Sequence, residues 1–358
     1  MYRSALVGVF LVACSSPSNS VDAPPVDAAP LACAPFDITV QPVKWLDKPI
    51  WTGSEYLVLT QRSPGVMQRI GADGTIGPTF SIGTDVPDIA WPIAWTGSEL
   101  GVVYSEASSN GYALKLAHYS HDGTQLGTST IADGFSSTVV NSNLRWAGDR
   151  YVVAWMSAGM LNIEDVFPNG VLATHAMGVV TEDRVYALAS SPTTDMAVVT
   201  NQLGGVRGSY VTVDRATGAM SQHDVATGVS LTTLLVRDDN FIAYSSSGTS
   251  AVLQTIDAAG METTSLPVPI PLASDMALLP DRFHLVEESN DASGRSIKDV
   301  DVGLDGTQLG PVNVRATITT TGSYTSAYVA SRGNGVITGW ADGPHDAMTA
   351  RLIQDCDP

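Results

Sequence analysis

The chain reads WTGSEYLVL at residues 51–59 and repeats this stretch almost unchanged as WTGSELGVV at residues 95–103. A third copy, WAGDRYVVAW, occupies residues 146–155. Each copy places a tryptophan before a glycine-containing turn and an apolar run after it. Repetition of one such pattern indicates a protein that stacks copies of a single supersecondary unit.

Four weaker copies keep the turn followed by an apolar run, at residues 195–199, 240–244, 282–286 and 335–338. The first strand residues of the seven copies are 42 to 53 positions apart. The apolar runs are nearly continuous, as expected for strands that are covered on both faces by neighbouring units. Helical periodicity is absent beyond the N-terminal segment.

A second turn signal recurs out of phase with the first, at Asp73-Gly74, Asp122-Gly123, Asn169-Gly170, Thr217-Gly218, Ala259-Gly260 and Asp305-Gly306. Asp-Gly and Asn-Gly suit type I′ hairpin turns, in which both central residues have positive φ. Each unit therefore contains two hairpins and four strands. Four-stranded units at this spacing predict an all-β, seven-bladed β-propeller.

The two ends of the repeat region complete each other. The last unit offers three strands, near residues 327–330, 336–338 and 348–353, and residues 36–40 form a spare strand before the first unit. Adding the spare strand to the last blade closes the ring and places Cys33 beside Cys356. We therefore predict a disulfide bond between these two cysteines, in a compartment that permits disulfides.

The N-terminus reads as a secretory signal. Arg3 is followed by an apolar run at residues 5–12 that is too short to span a bilayer. The run ends in Leu11-Val12-Ala13-Cys14, which resembles the lipobox of bacterial lipoproteins. The resemblance implies cleavage before Cys14, lipidation of its thiol and stable anchoring in a membrane. An ordinary signal peptide is the alternative.

Residues 15–32 are rich in proline, alanine and serine and lack aromatic residues. Such a segment cannot bury enough apolar surface to fold, so it is expected to be a disordered tether. The expected organisation is a signal peptide at 1–13, the lipidated cysteine and tether at 14–32, and the propeller at 33–358. The residue after Cys14 is Ser15 rather than aspartate, which by resemblance to the lipoprotein sorting pattern favours the outer membrane.

From Cys33 onward, the chain resembles repeat-propeller lipoproteins with Trp-x-Gly-x-x-aromatic hairpins. That resemblance carries no catalytic pattern to transfer. The chain has 36 acidic and 18 basic residues, a net charge of −18, which argues against a nucleic-acid partner.

Metal-binding patterns are weak. The segment from Asp299 to Gly306 comes nearest to a calcium loop, but its spacing is wrong, and we expect a solvated edge strand with Asp299 and Asp301 on one face. No two histidines have a zinc-site spacing. We expect turn or surface positions for all six, with no metal, cofactor or catalytic residue: His118, His121, His175, His223, His284 and His345.

Repeated residues are expected to build the blades. Gly53-Ser54-Glu55 and Gly97-Ser98-Glu99 are interpreted as turns because they recur in register. The three tryptophans at the repeat position are expected to pack between blades: Trp51, Trp95 and Trp146. Four others are less regular, and they are candidates for a ligand-stacking platform, with core packing as the default: Trp45, Trp91, Trp155 and Trp340.

The leading functional hypothesis is a non-enzymatic binding or scaffolding propeller on the cell envelope, with a protein or polysaccharide partner. The alternative is an envelope hydrolase or lyase whose active site is assembled from several blades at the channel mouth. Three or more convergent charged side chains in one deep mouth would favour the enzyme. A calcium-stabilised surface module is a third possibility, which melting insensitive to chelators would exclude.

Overall fold

The computed structural model describes residues 33–62, 64–83, 92–136, 142–170, 172–180, 184–200, 208–224, 230–247, 250–271, 273–291, 294–318, 327–344 and 347–356. In this part of the chain, 28 strands form seven four-stranded antiparallel sheets. The predicted all-β, seven-bladed propeller is confirmed. The segments predicted to be a signal peptide and a tether, and Cys14 between them, lie outside the described residues. Among the described residues, no helix is long and apolar enough to cross a membrane.

The strands are numbered in chain order. Blade 1 contains β2 (Ile50–Trp51), β3 (Glu55–Arg62), β4 (Gly65–Gly71) and β5 (Ile76–Ile82). Blade 2 contains β6 (Ile93–Trp95), β7 (Glu99–Ser108), β8 (Gly111–Ser120) and β9 (Gln125–Phe135). Blade 3 contains β10 (Ser142–Trp146), β11 (Tyr151–Ser157), β12 (Met160–Val166) and β13 (Leu172–Val179). Blade 4 contains β14 (Arg184–Ser190), β15 (Thr194–Thr200), β16 (Gly208–Asp214) and β17 (Met220–Asp224).

The remaining blades follow the same plan. Blade 5 contains β18 (Ser230–Arg237), β19 (Asn240–Ser247), β20 (Ser250–Ile256) and β21 (Glu262–Val268). Blade 6 contains β22 (Ala273–Leu278), β23 (Arg282–Asp291), β24 (Gly294–Gly303) and β25 (Asn313–Ile318). Blade 7 contains β26 (Ala327–Arg332), β27 (Gly335–Asp342) and β28 (Met348–Cys356), and its fourth strand is β1 (Phe36–Val43).

The first strands of successive blades pack against one another, and β2 packs against β26, so these strands line the central channel. The fourth strands lie at the periphery. Turns between first and second strands, and between third and fourth, fall at one end of the ring, which we call the hairpin end. The other turns and the links between blades fall at the opposite, connection end. The second strands are the most buried, because a blade packs on each face.

The repeated Gly-Ser-Glu residues form turns, as predicted. In blade 1, Gly53 has a φ of +102°, and the Glu55 amide donates a hydrogen bond to the Thr52 hydroxyl at 3.2 Å. Blade 2 repeats this geometry.

The second turn class differs from the prediction. Among the described residues of the Asp73-Gly74 turn, only Gly74 has a positive φ, so the turn is not type I′. Gly74 donates to the carbonyl of Gly71, and Gly71 donates to that of Thr75, which describes a three-residue loop with a bulge.

Strand β1 closes the ring. It pairs antiparallel with β28, with Phe36 opposite Gln354, and the sheet order is β1-β28-β27-β26. Cys33 and Cys356 form the predicted disulfide bond, with a Cα–Cα distance of 5.6 Å. The last blade is therefore assembled from both ends of the described chain.

The tryptophans separate by position. Trp51, Trp95 and Trp146 pack in the clusters between a blade and its predecessor, as predicted. Trp155 and Trp340 are buried in the core, and the Trp45 ring lies 3.5 Å beneath the Arg62 guanidinium. The rings of Trp155 and Trp340 are therefore covered by the protein, and Trp45 is partly exposed with one face against Arg62. Trp91 lies outside the described residues.

Candidate functional site

Charged residues converge at the connection end of the channel. Residues 44–48 run from β1 at the periphery to β2 at the channel. The Lys48 ammonium lies 3.0 Å from a carboxylate oxygen of Asp275, on the inner strand of blade 6. The second Asp275 oxygen accepts a hydrogen bond at 3.0 Å from the Val329 amide on blade 7. Asp275 therefore joins blades 6 and 7 to the segment at residues 44–48.

A second ion pair lies beside the first. The Arg62 guanidinium is 3.2 Å from Asp47, which also accepts the Lys48 backbone N–H. Burial raises the pKa of the Asp47 carboxyl, and the negative charge of Asp275 adds to the increase, while Arg62 opposes it. Four charged side chains therefore meet here, and each carboxylate has a cationic partner.

A buried network lies at the interface of blades 6 and 7. His284 Nδ1 is 2.7 Å from Asp301, and His284 Nε2 is 3.6 Å from Asp299, an ion-pair distance. Asp299 also contacts Arg315, and it accepts a hydrogen bond from Asn313 at 3.0 Å. The two aspartates share one face, as predicted. The expectation of a solvated edge strand is wrong, because β24 is hydrogen-bonded to β23 on one side and to β25 on the other, and Asp299 is fully buried.

The pKa values in this network follow from its charges. Burial alone would lower the pKa of His284, but Asp299 and Asp301 outweigh it and raise that pKa. Burial alone would raise the pKa of both aspartates, yet His284 lowers the pKa of each, with Arg315 acting on Asp299 and Arg282 on Asp301. His284 is only 3% exposed and Asp299 is fully buried, so these two side chains are fixed within the blade, whereas Asp301 is partly exposed.

The other described histidines are also part of blade contacts. His118 is buried, with Nδ1 3.3 Å from Glu99, and His121 Nε2 lies 2.9 Å from Glu55. The expected turn or surface position is wrong for His118 and His284, since both lie in strands and are buried. His345 and the side chain of His175 lie outside the described residues. Where the structure is described, no three His, Cys, Asp or Glu side chains are grouped to hold a metal ion.

A groove opens between blades 4 and 5, with a volume of about 280 Å³. We call it the 4–5 groove and define it by its lining residues: Tyr210, Asp224, Ser245, Ser246, Ser247, Ser250, Ala251, Val252, Gln254 and Glu262. Two of them are exposed carboxylates on different blades, Asp224 on β17 and Glu262 on β21. Among the described residues of this lining there is no lysine, arginine or histidine.

Side chains of the 4–5 groove are held by hydrogen bonds. Ser245 donates to the Gln254 oxygen at 2.6 Å, and the Gln254 amide donates to Glu262 at 2.7 Å. On the other wall, Asp224 accepts a hydrogen bond from Ser209 at 3.2 Å. These bonds order both carboxylates while leaving them exposed to solvent.

The Tyr210 ring is fixed from two directions. Its hydroxyl donates to the Gly260 carbonyl at 3.0 Å, which ties blade 4 to a turn of blade 5. Its ring stacks on His223, with centroids 5.1 Å apart and planes 15° apart. Burial raises the pKa of Tyr210, and the charges of Glu262 and Asp257 add to the increase, so the hydroxyl stays a neutral donor.

The 4–5 groove was not predicted from the sequence. Its residues come from five strands on two blades, and no linear motif joins them. The one local signal is the serine run at residues 245–247, which ends β19 where an apolar run would be expected. The predicted disulfide cysteines lie on blade 7, away from this groove.

Comparisons with known proteins show the fold alone. No family model matches the chain, and no curated protein matches it. Hydrazine synthase from Kuenenia stuttgartiensis is similar in structure at 12% identity, with a TM-score of 0.56 over 84% of this chain and 92% of that chain. A functionally unknown protein from Desulfotomaculum acetoxidans matches at 13% identity and a TM-score of 0.50, over 75% of this chain and 88% of that one.

A prolyl endopeptidase is also similar, at 12% identity and a TM-score of 0.53. The match covers 83% of this chain but 47% of the endopeptidase, so the chain spans about half the length of that enzyme. At such identities the shared feature is the β-propeller, which hosts many unrelated activities.

Proposed function

We propose that this chain is an outer-membrane lipoprotein anchored through Cys14, and that its propeller is a non-enzymatic binding module for a polysaccharide or protein of the cell envelope. The lipobox resemblance at residues 11–14 and the proline-rich segment that follows it support the anchor. The Cys33–Cys356 disulfide supports an exported location, because such bonds persist in oxidising compartments.

The 4–5 groove is the observation that carries the binding role. It is an accessible cavity between two blades, and its hydrogen-bonding groups are ordered by contacts within the protein. Preorganised polar groups favour binding, because little side-chain freedom is lost when a ligand arrives. By contrast, His284 and Asp299 are buried, and their charges are already paired within the protein.

The alternative, a hydrolase or lyase, has its best support at the connection end of the channel. Four charged side chains meet there, and burial raises the pKa of Asp47 beside Asp275. A carboxyl with a raised pKa is suited to general acid chemistry. Substitution of Asp47 therefore distinguishes a hydrolase or lyase, which would lose activity, from a binding module, which would not.

Binding and turnover can be measured on the same samples. Full-length protein is melted with peptidoglycan fragments, neutral oligosaccharides, peptides and calcium, and each mixture is then analysed by mass spectrometry. A ligand at a hundred times its Kd stabilises the native state by about 2.7 kcal/mol, which is visible as a shift in melting temperature. The expected result is such a shift with at least one envelope component and no cleavage product in the mass spectrum. Cleavage by the wild type that is lost in Asp47→Asn would contradict the non-enzymatic role.

The anchor is tested by labelling cells with an alkyne fatty acid. The wild type should carry the label and fractionate with the outer membrane, and Cys14→Ala should lose both properties. Ser15→Asp is the matched variant: it keeps Cys14 and should be labelled but retained in the inner membrane. An unlabelled wild-type protein would overturn the lipoprotein assignment in favour of an ordinary signal peptide.

A further inference from the structure

We infer that the 4–5 groove is a binding site for one or two residues of an uncharged glycan, an inference that rests on the proposed binding function and names its ligand. Three observations carry it: the volume of the cavity, the chemistry of its lining and the fixed position of Tyr210.

The volume sets the size of the ligand. The 4–5 groove encloses about 280 Å³, close to the lower limit of roughly 300 Å³ that is typical of small-molecule sites. It is therefore large enough for a sugar ring or two and too small for a folded domain. The groove lies at the surface between blades, so a longer polymer can continue beyond it into solvent.

The lining sets the chemistry of the ligand. Four serines line the groove, Ser245, Ser246, Ser247 and Ser250. Ser247 and Ser250 are exposed, and a hydroxyl group can both donate and accept hydrogen bonds. Asp224 and Glu262 supply charged acceptors, which form stronger hydrogen bonds with hydroxyl donors than neutral acceptors do. A polyol offers many hydroxyl donors and acceptors on one small body, and it matches this set.

The charge of the site excludes other ligands. With two carboxylates and no cationic side chain among its described lining residues, the groove disfavours anionic polymers such as polyuronates. An apolar ligand would remove solvent from the exposed carboxylates of Asp224 and Glu262 without offering them hydrogen-bond donors in return. In the described part of the chain, no three His, Cys, Asp or Glu side chains lie close enough together to hold a metal ion.

Tyr210 supplies a partly exposed aromatic surface. Its ring is held by the hydrogen bond to Gly260 and by the stack on His223. A fixed ring adds apolar contact with little loss of side-chain freedom. A sugar ring has C–H faces as well as hydroxyl edges, so an aromatic ring beside carboxylates and hydroxyls serves both.

The test uses isothermal titration calorimetry of the full-length protein in a detergent without a sugar headgroup. The probes are maltotetraose, cellotetraose and chitotetraose, with tetragalacturonate as the anionic comparison and calcium chloride as the cation. We expect at least one neutral probe to bind, with affinity reduced at least tenfold by Asp224→Asn or Tyr210→Ala. Glu106→Gln, an exposed carboxylate on blade 2, is the matched control and should bind as the wild type does.

Other outcomes overturn the inference. Equal binding of tetragalacturonate, a calcium signal abolished by Asp224→Asn, or neutral binding that is insensitive to both groove variants would each assign the groove a different role. Failure of all probes would also overturn it. Neutral binding that is insensitive to the groove variants, and failure of all probes, both leave the proposed function standing. That proposal fails only if the anchor is absent, catalysis occurs or no envelope component binds.

Discussion

The hydroxyl of Tyr56 donates a hydrogen bond to the side-chain oxygen of Gln354, 2.6 Å away and 298 positions later in the chain. The Gln354 amide donates in turn to the carbonyl of Ala34 at 2.5 Å, and Arg332 donates to that of Ala72 at 3.1 Å. These bonds join blade 1, blade 7 and the N-terminal segment. Burial raises the pKa of Tyr56 above its ordinary range, so the hydroxyl remains a donor at all physiological pH values.

We predict that Tyr56→Phe lowers the free energy of unfolding by about 1–2 kcal/mol, because a buried hydrogen bond is lost and one Gln354 acceptor site is left unpaired. Urea unfolding of the full-length protein measures the change. Tyr112→Phe, at a partly exposed tyrosine on β8, is the control and should lie within about 0.5 kcal/mol of the wild type. Equal effects of the two substitutions would show that the Tyr56–Gln354 hydrogen bond does not stabilise the junction of blades 1 and 7.

The disulfide closes a loop with a sequence separation of 323 residues. Restriction of the unfolded chain by so long a loop is worth up to about 5 kcal/mol, and measured values are often smaller. We predict that Cys33→Ser combined with Cys356→Ser lowers the melting temperature, and that a reductant lowers that of the wild type by the same amount. A reductant effect that persists in the double variant would assign the change to another cause.

Regular features of the fold could be predicted because every blade repeats them. Strands covered on both faces must be apolar, and tight turns favour glycine, so both features recur in the sequence of the blades. The spare strand at residues 36–40 predicts closure of the ring, and the Cys33–Cys356 bond follows from that closure. Turn type was less predictable. Asp73-Gly74 fits two hairpin geometries, and the number of loop residues, rather than the dipeptide, decides between them.

The site was harder to predict, because its residues share no spacing. Asp224 and Glu262 face one groove only after two blades pack together. The alternation of Asp299 and Asp301 correctly predicted a shared face, but not its burial. That depends on Arg315 and His284, which neutralise the charges from neighbouring strands. Such pairing is decided by packing and leaves no pattern in the sequence.

The network at His284 should give stability a dependence on pH. The pKa of His284 is raised above 6.5, so its stabilising contribution is complete below that value and is lost as pH rises through the folded-state pKa. The pKa values of Asp299 and Asp301 are lowered below 3.8, so their contribution is complete above that value and is lost as pH falls through the folded-state values.

The contribution is therefore largest between about pH 4 and 6.5. Arg282 and Arg315 keep their charge over this range, and Asp355 faces Arg315 from blade 7. Urea unfolding at several pH values should show that His284→Gln removes the loss of stability above pH 6.5. His121→Gln, at a more exposed histidine whose Nε2 lies 2.9 Å from Glu55, is the control. An unchanged profile in His284→Gln would assign the dependence to other groups.

The ring of Tyr151, on blade 3, packs against Gly101 on β7 of blade 2. A Cβ atom at this position would lie 2.3 Å from Cε1 of that ring, and Tyr151 is fully buried, so it has little room to move. We predict that Gly101→Ala destabilises the protein by about 1–3 kcal/mol through overpacking of the blade 2–3 interface. Gly127→Ala on β9 is the matched control, because a Cβ there meets no atom within 4 Å. Its unfolding midpoint in urea should equal that of the wild type. If Gly101→Ala is equally neutral, blades 2 and 3 can separate enough to admit a methyl group, and the rigid packing inferred for this interface is wrong.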